Sequence, residues 1–215
     1  MKKKKKTIKK VKKAVKKTVK AAKELLVSFI LDETGSMEVC KSATMSGFNE
    51  YIQSLKKQKG VKMTLTKFNS NKVEVVYTAK PIAEVPELTE ATYQPIDCTP
   101  LYDAVGKTIT AVEKAATHGR VLIAIQTDGL ENASKEYTQQ QIQDMIKAKE
   151  ALGWTFAYLG AGKDAWAAGI QMGIAKGNIT NFDPNNPKAS FNNLSNATLC
   201  YCASSGRQTH TFFKS

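Results

Sequence analysis

Five oxygen-bearing side chains stand at loop positions between stretches patterned as strands and helices. Asp32, Thr34 and Ser36 alternate just after the apolar run Leu25–Leu31, Thr99 precedes Pro100, and Asp128 precedes Gly129. Two carboxylates and three hydroxyls are hard donors. They suit magnesium or manganese, since magnesium takes oxygen ligands at about 2.0–2.1 Å in octahedral geometry and keeps part of its water. A calcium cage would call for more carboxylates. Helix capping alone could explain Asp32 and Ser36, but it leaves Thr99 and Asp128 in their matching contexts unexplained. Metal-assisted hydrolysis fits poorly. Phosphate-transfer folds with an aspartate after the first strand place a second acid two residues on, where this chain has Thr34. There is no Gly-Lys-Ser phosphate loop and no Gly-x-Ser-x-Gly, and His118 and His210 lie outside the three loops. His118 reads as a cation at a helix end. The expectation is a binding module and not an enzyme.

The elements that must position these groups follow from periodicity. Leu25–Leu31 is a continuous apolar run rich enough in Val, Ile and Phe for a strand buried on both faces. A polar loop containing Gly35 follows, and Met37, Met45, Phe48, Tyr51, Ile52 and Leu55 then recur near helical spacing until Gly60. Val61–Phe68 and Val73–Thr78 flank the turn-forming Asn69-Ser70-Asn71-Lys72 and predict a hairpin. Four prolines between Ala79 and Pro100 predict a surface connection. Helices are expected over Pro100–His118, Tyr137–Leu152, Lys163–Met172 and Pro187–Ala203, with strands at Val121–Gln126, Thr155–Leu159 and within Ile174–Phe182. Strands alternating with helices after one hairpin argue for an α/β, three-layer, doubly wound, Rossmann-like fold. Its sheet is mostly parallel with one antiparallel edge strand, and helices cover both faces. Ligands of such sheets bind beyond the carboxyl ends of the strands, where the loops after Leu31, before Pro100 and after Gln126 should converge.

Composition adds a second feature. Of 32 lysines and arginines in 215 residues, 13 are lysines before Glu24, a stretch with no acid, which leaves 19 basic against 19 acidic residues for the rest. Residues 1–23 are therefore expected to form a basic tail, disordered in water, 24–205 a near-neutral domain, and 206–215 a C-terminal tail. The tail lysines are Lys2, Lys3, Lys4, Lys5, Lys6, Lys9, Lys10, Lys12, Lys13, Lys16, Lys17, Lys20 and Lys23. Ile8, Val11, Val15 and Val19 fall among them at helical spacing, so an anionic surface could induce an amphipathic helix. The alternative function follows from this segment: it would bind nucleic-acid phosphates with a steep salt dependence, or an anionic membrane at about 1 kcal/mol per lysine near the headgroups. No apolar run approaches the roughly 20 residues of a membrane span. Lys23 and Glu24 interrupt any resemblance to a signal peptide, and a cytoplasmic setting is expected. Cys40, Cys98, Cys200 and Cys202 lack zinc-site spacing and read as buried free thiols.

The three loop motifs together resemble the metal-ion-dependent adhesion site of the von Willebrand factor A domains. The family's Asp-x-Ser-x-Ser appears as Asp32-Glu33-Thr34-Gly35-Ser36, its distant threonine as Thr99, and its distant aspartate as Asp128 in Thr127-Asp128-Gly129. The likeness runs from about Leu25 to Phe182, with the motifs in family order. Thr34 replaces a serine and keeps the hydroxyl, while Asp97 and Cys98 stand where relatives often carry glycines. The resemblance implies the von Willebrand factor A fold of a cytosolic bacterial or phage type. It implies a Mg2+ or Mn2+ ion touched by Asp32, Ser36 and often Thr99, with Asp128 acting through water. It also implies a partner protein that supplies an aspartate or glutamate as the last ligand.

Overall fold

The computed structural model describes residues 24–116, 119–204, 206 and 209–214. Six strands form one sheet in the order β3-β2-β1-β4-β5-β6: β1 Leu25–Asp32, β2 Val61–Asn69, β3 Lys72–Pro81, β4 Arg120–Thr127, β5 Thr155–Gly160 and β6 Ile179–Asn181. Only β3 runs antiparallel to its neighbour; the pairs β1–β2, β1–β4, β4–β5 and β5–β6 are parallel. This is the expected α/β three-layer fold. β1 and β4 lie in the middle and are buried along their whole lengths, which is why neither shows polar alternation in its sequence.

Five helices cover the sheet: α1 Lys41–Lys56, α2 Leu101–Ala115, α3 Gln139–Ala151, α4 Gly162–Gln171 and α5 Pro187–Ala203. The odd positions of β1, Leu25 to Leu31, pack with α1 and α5, and its even positions Leu26 and Ile30 pack with α2 and α3. On the first face Phe29 meets Phe48 edge-on at 5.3 Å and stacks with Phe191 at 6.0 Å. Aromatic pairs at such separations add about 0.5–1.5 kcal/mol beyond area burial. Gly47 makes that packing possible, because a Cβ there would fall 2.3 Å from Phe191 Cδ2. The start of α5 is set locally. Pro187 occupies its first turn, and the Asn186 side chain accepts from the Ala189 N–H.

Two elements depart from expectation. The first turn of the predicted helix after Ser36 is a separate 3-10 helix, Gly35–Cys40, and α1 starts only at Lys41. β3 continues to Pro81 because a bulge opposite Met63–Leu65 absorbs the irregularity. There the Thr64 hydroxyl accepts the Ala79 N–H that the ladder leaves over, at 3.0 Å. β6 is the short edge strand expected within Ile174–Phe182, three residues long after a 3-10 turn at Lys176–Asn178.

At the opposite end of the sheet from the loops, Asn178 donates to Thr209 O (2.7 Å) and accepts from Phe212 N–H (2.9 Å). Phe212 is fully buried, so residues beyond 205 take part in the packing. Of the four thiols only Cys40 is buried, and burial pushes it up; Cys98 and Cys200 are exposed and Cys202 is half-buried. The buried-thiol reading therefore fails outright at Cys98, in a loop, and at Cys200 on α5, while Cys202 packs partly buried against the core. Among the described residues no helix is long and apolar enough to cross a membrane.

Candidate functional site

Asp32 is the last residue of β1 and Asp128 follows the last residue of β4. β1 and β4 are neighbours from which the chain winds outward in opposite directions, so the two acids emerge at the crevice where an open α/β sheet offers a binding site. Pairing of Leu31 with Gln126 brings Thr127 beside Asp32, and the Thr127 hydroxyl donates to Asp32 Oδ2 at 2.5 Å. The other carboxylate oxygen, Oδ1, accepts the Thr34 N–H at 2.8 Å. Asp32 is thus held by both oxygens and is fully buried.

The hydroxyls of the first loop point toward Asp128. Ser36 Oγ donates to Asp128 Oδ1 at 2.6 Å, and Thr34 Oγ1 lies 3.3 Å from Ser36 Oγ. Thr99 comes in from the second loop: a Cβ on Gly129 would sit 2.9 Å from Thr99 Oγ1, so that hydroxyl lies directly against the residue after Asp128. The structure therefore brings Asp32, Thr34, Ser36, Thr99 and Asp128 to one end of the sheet. Burial pushes the Asp32 carboxyl up to about 6 despite the Thr127 and Thr34 hydrogen bonds, and Asp128 adds to the rise. Burial also raises Asp128, against the Ser36 hydrogen bond. Among the described residues neither carboxylate has a lysine or arginine partner. Two partly desolvated acids side by side lack a compensating positive charge. Among the described residues no group of three or more His, Cys, Asp and Glu is placed to hold a metal, and here the donors are two carboxylates and three hydroxyls.

Residues that the sequence did not single out hold these loops together. The Glu33 carboxylate accepts from Lys67 Nζ (2.8 Å) and from Gln94 N–H (2.8 Å), while Ile96 N–H donates to Glu33 O at 3.0 Å. The buried Tyr93 hydroxyl donates to Asp32 O at 2.7 Å. Asn132 accepts the Thr99 N–H (2.8 Å) and donates its own N–H to Thr99 O (3.1 Å), fixing the second loop to the third. Only Thr127 had a visible signal, its place in Thr-Asp-Gly. Gly35 does not adopt a left-handed conformation; its N–H donates to Asp97 O at 3.0 Å. Asp97 does, with φ of 62°, a conformation that favours glycine, and its side chain is bonded to Asn71. The 13 tail lysines and His118 lie outside the described residues.

No family model matches the sequence, and no curated protein does. Solved structures do. The von Willebrand factor domain of the type V pili tip protein Mfa5 from Porphyromonas gingivalis superimposes with a TM-score of 0.67 at 10% identity, over 83% of this chain and 96% of that one. The PilB minor pilin from Streptococcus sanguinis gives 0.62 at 11%, over 81% and 61%. The proximal thread matrix protein 1 of the mussel byssus, with a zinc-occupied MIDAS motif, gives 0.61 at 12%, over 85% and 46%. This chain thus spans nearly all of the first structure but about half of the byssus protein. Pilus and byssus proteins are surface or extracellular components, and these matches overturn the cytoplasmic setting expected from the sequence. That expectation came from a short apolar run and its charged flank, which carry little information on compartment. At 10–12% identity the likeness establishes architecture, and the architecture is that of a von Willebrand factor A-like domain.

Proposed function

We propose that this chain is a protein-binding module whose binding depends on a magnesium or manganese ion held by Asp32, Thr34, Ser36, Thr99 and Asp128. The observation that carries this reading is the pair of raised carboxylates at neighbouring strand ends, Asp32 held by Thr34 and Thr127 and Asp128 by the Ser36 hydroxyl, neither with a cationic side-chain partner among the described residues. The donor set fits such an ion. All five groups are hard oxygens, the two charges balance a dication, and the hydroxyls are weak enough ligands to leave it electrophilic. When bound, the ion would supply a Lewis-acidic position for the carboxylate of a partner's aspartate or glutamate. Asp32, pinned by Thr127 and Thr34, sets the depth of the site. Ser36 and Asp128 close it toward solvent.

The test is thermal unfolding of the full chain with chelator, magnesium or manganese. Ion at a hundredfold excess over its Kd should stabilise the fold by about 2.7 kcal/mol, and Asp128→Ala should remove the response. Identical melting curves in chelator and in millimolar manganese would sink the reading. A subtler variant is Gly129→Ala. Its backbone is not in the left-handed region, but the new methyl would press on Thr99 Oγ1. We expect manganese affinity to fall about tenfold, as when a group that orients a ligand is disturbed, with metal-free stability nearly unchanged. Retention of full affinity would remove Thr99 from the ligand set.

A further inference from the structure

We infer that the partner's acidic residue is flanked by apolar side chains, because the candidate metal position is rimmed by one exposed apolar residue from each of its three loops. This inference rests on the metal-dependent reading above and adds the class of surface that the site selects. Val39 is 85% exposed, Ile96 49% and Leu130 49%, in a fold whose other large apolar side chains are mostly inside. Their positions follow the ligands. Val39 follows Ser36 by three residues in the 3-10 helix Gly35–Cys40, a spacing at which side chains share a face, and it also borders a cleft toward Pro184 and Pro187. Ile96 donates its N–H to Glu33 O, one residue from Asp32. Leu130 follows Gly129, which lies against the Thr99 hydroxyl. From Ile96 an open groove of about 780 Å3 runs to Val76, also exposed at 40%.

Charge separates this partner from a merely acidic one. The three lysines lining that groove are already engaged, Lys41 with Glu90, Lys67 with Glu33 and Lys72 with Glu74. Glu38 lines the same groove near Lys41, whose ammonium is bonded to Glu90 at 2.9 Å. The surroundings therefore offer an acid-rich ligand only cations already paired with carboxylates, and Glu38 adds a further negative charge. A ligand with one acid and apolar neighbours gains the metal contact and buries the rim. An acidic cluster gains the first and meets Glu38.

The experiment uses the full chain and four capped, fluorescein-labelled peptides, Ser-Leu-Glu-Leu-Ser, Ser-Ser-Glu-Ser-Ser, Ser-Asp-Glu-Asp-Ser and Ser-Leu-Gln-Leu-Ser, read by fluorescence anisotropy in manganese and in chelator. Half-burial of two leucines corresponds to about a tenfold gain. The first peptide should therefore bind about tenfold more tightly than the second and third in manganese, and the fourth should bind only weakly. Val39→Ser, Ile96→Ser and Leu130→Ser combined should abolish the difference and leave the manganese-induced melting shift intact, since all three side chains are exposed. Equal binding of the leucine and serine peptides, with that shift present, overturns the rim while the metal reading stands. A leucine preference that persists in chelator or with glutamine overturns it as well, because the rim would then act apart from the carboxylate site. Absence of any manganese shift overturns both. Concentration-dependent dimerisation lost in the triple variant, seen by sedimentation, would assign the rim to a second copy of this chain and overturn the inference.

Discussion

Replacing Asp32 with asparagine is expected to stabilise the metal-free protein by about 3 kcal/mol at neutral pH and to eliminate its thermal response to manganese. The Asp32 carboxyl rises from its ordinary 3.8 to about 6, chiefly through burial. The folded state therefore binds this proton more tightly than the unfolded chain does. Above pH 6 both states are ionised, and the full cost of a buried charge opposes folding. As pH falls from 6 toward 3.8 the folded state takes up the proton first, and this contribution grows less unfavourable. Asparagine removes the charge without stranding its neighbours: its oxygen can accept the Thr34 N–H, and its amide can donate to Thr127 Oγ1. That hydroxyl has a second acceptor ready in Gly129 O at 3.1 Å. The gain should accordingly shrink in acid, and melting curves of both proteins in chelator between neutral pH and pH 4 would follow it. A variant less stable than the parent at neutral pH would show that the carboxylate supports the fold, against the reading that it awaits a cation.

Substitution of Arg120 by methionine should cost about 1–3 kcal/mol, the range for leaving buried carbonyls without their donor. Arg120 opens β4 and is 4% exposed. Its guanidinium donates to Tyr201 O (2.6 Å), Ser204 O (2.9 Å) and Cys202 O (3.1 Å), and lies over the Tyr201 ring at 4.8 Å. These carbonyls lie in the last turn of α5 and just after it, where the negative end of the helix dipole favours a cation; Tyr201 O also accepts the Ser204 N–H at 3.2 Å. Methionine fills similar volume but donates nothing. Lysine should recover little, since it lacks the planar fork that reaches several carbonyls at once. Urea titration of the three proteins measures this, and a loss below about 1 kcal/mol would mean that water replaces the guanidinium at those carbonyls.

Much of this architecture was legible because burial and periodicity are local. Leu25–Leu31 could only be a doubly buried strand, and Pro187 marked the first turn of α5 where the structure begins it. The five site residues could be named since each adjoins a strand end or a helix start. What stayed hidden depends on distant parts of the chain meeting. Nothing near Arg120 announces that it serves α5 more than 80 residues on, and nothing near Tyr93 announces the carbonyl of Asp32. The split between the 3-10 helix and α1 was hidden for another reason. Met37 and Met45 fit a single helical stripe equally well, and the first turn tightens because Met37 N–H bonds back to Thr34 O. The cytoplasmic expectation failed because solubility and charge do not encode an address.

The central position of β1 bears on how the molecule can be handled. Its eight residues carry the chain about 23 Å from Leu25 to Asp32, so whatever is joined ahead of Glu24 leaves from the pole opposite the loops. A probe, bead or fused module attached there will keep the loop-bearing end, with Asp32 and Asp128, turned toward solution.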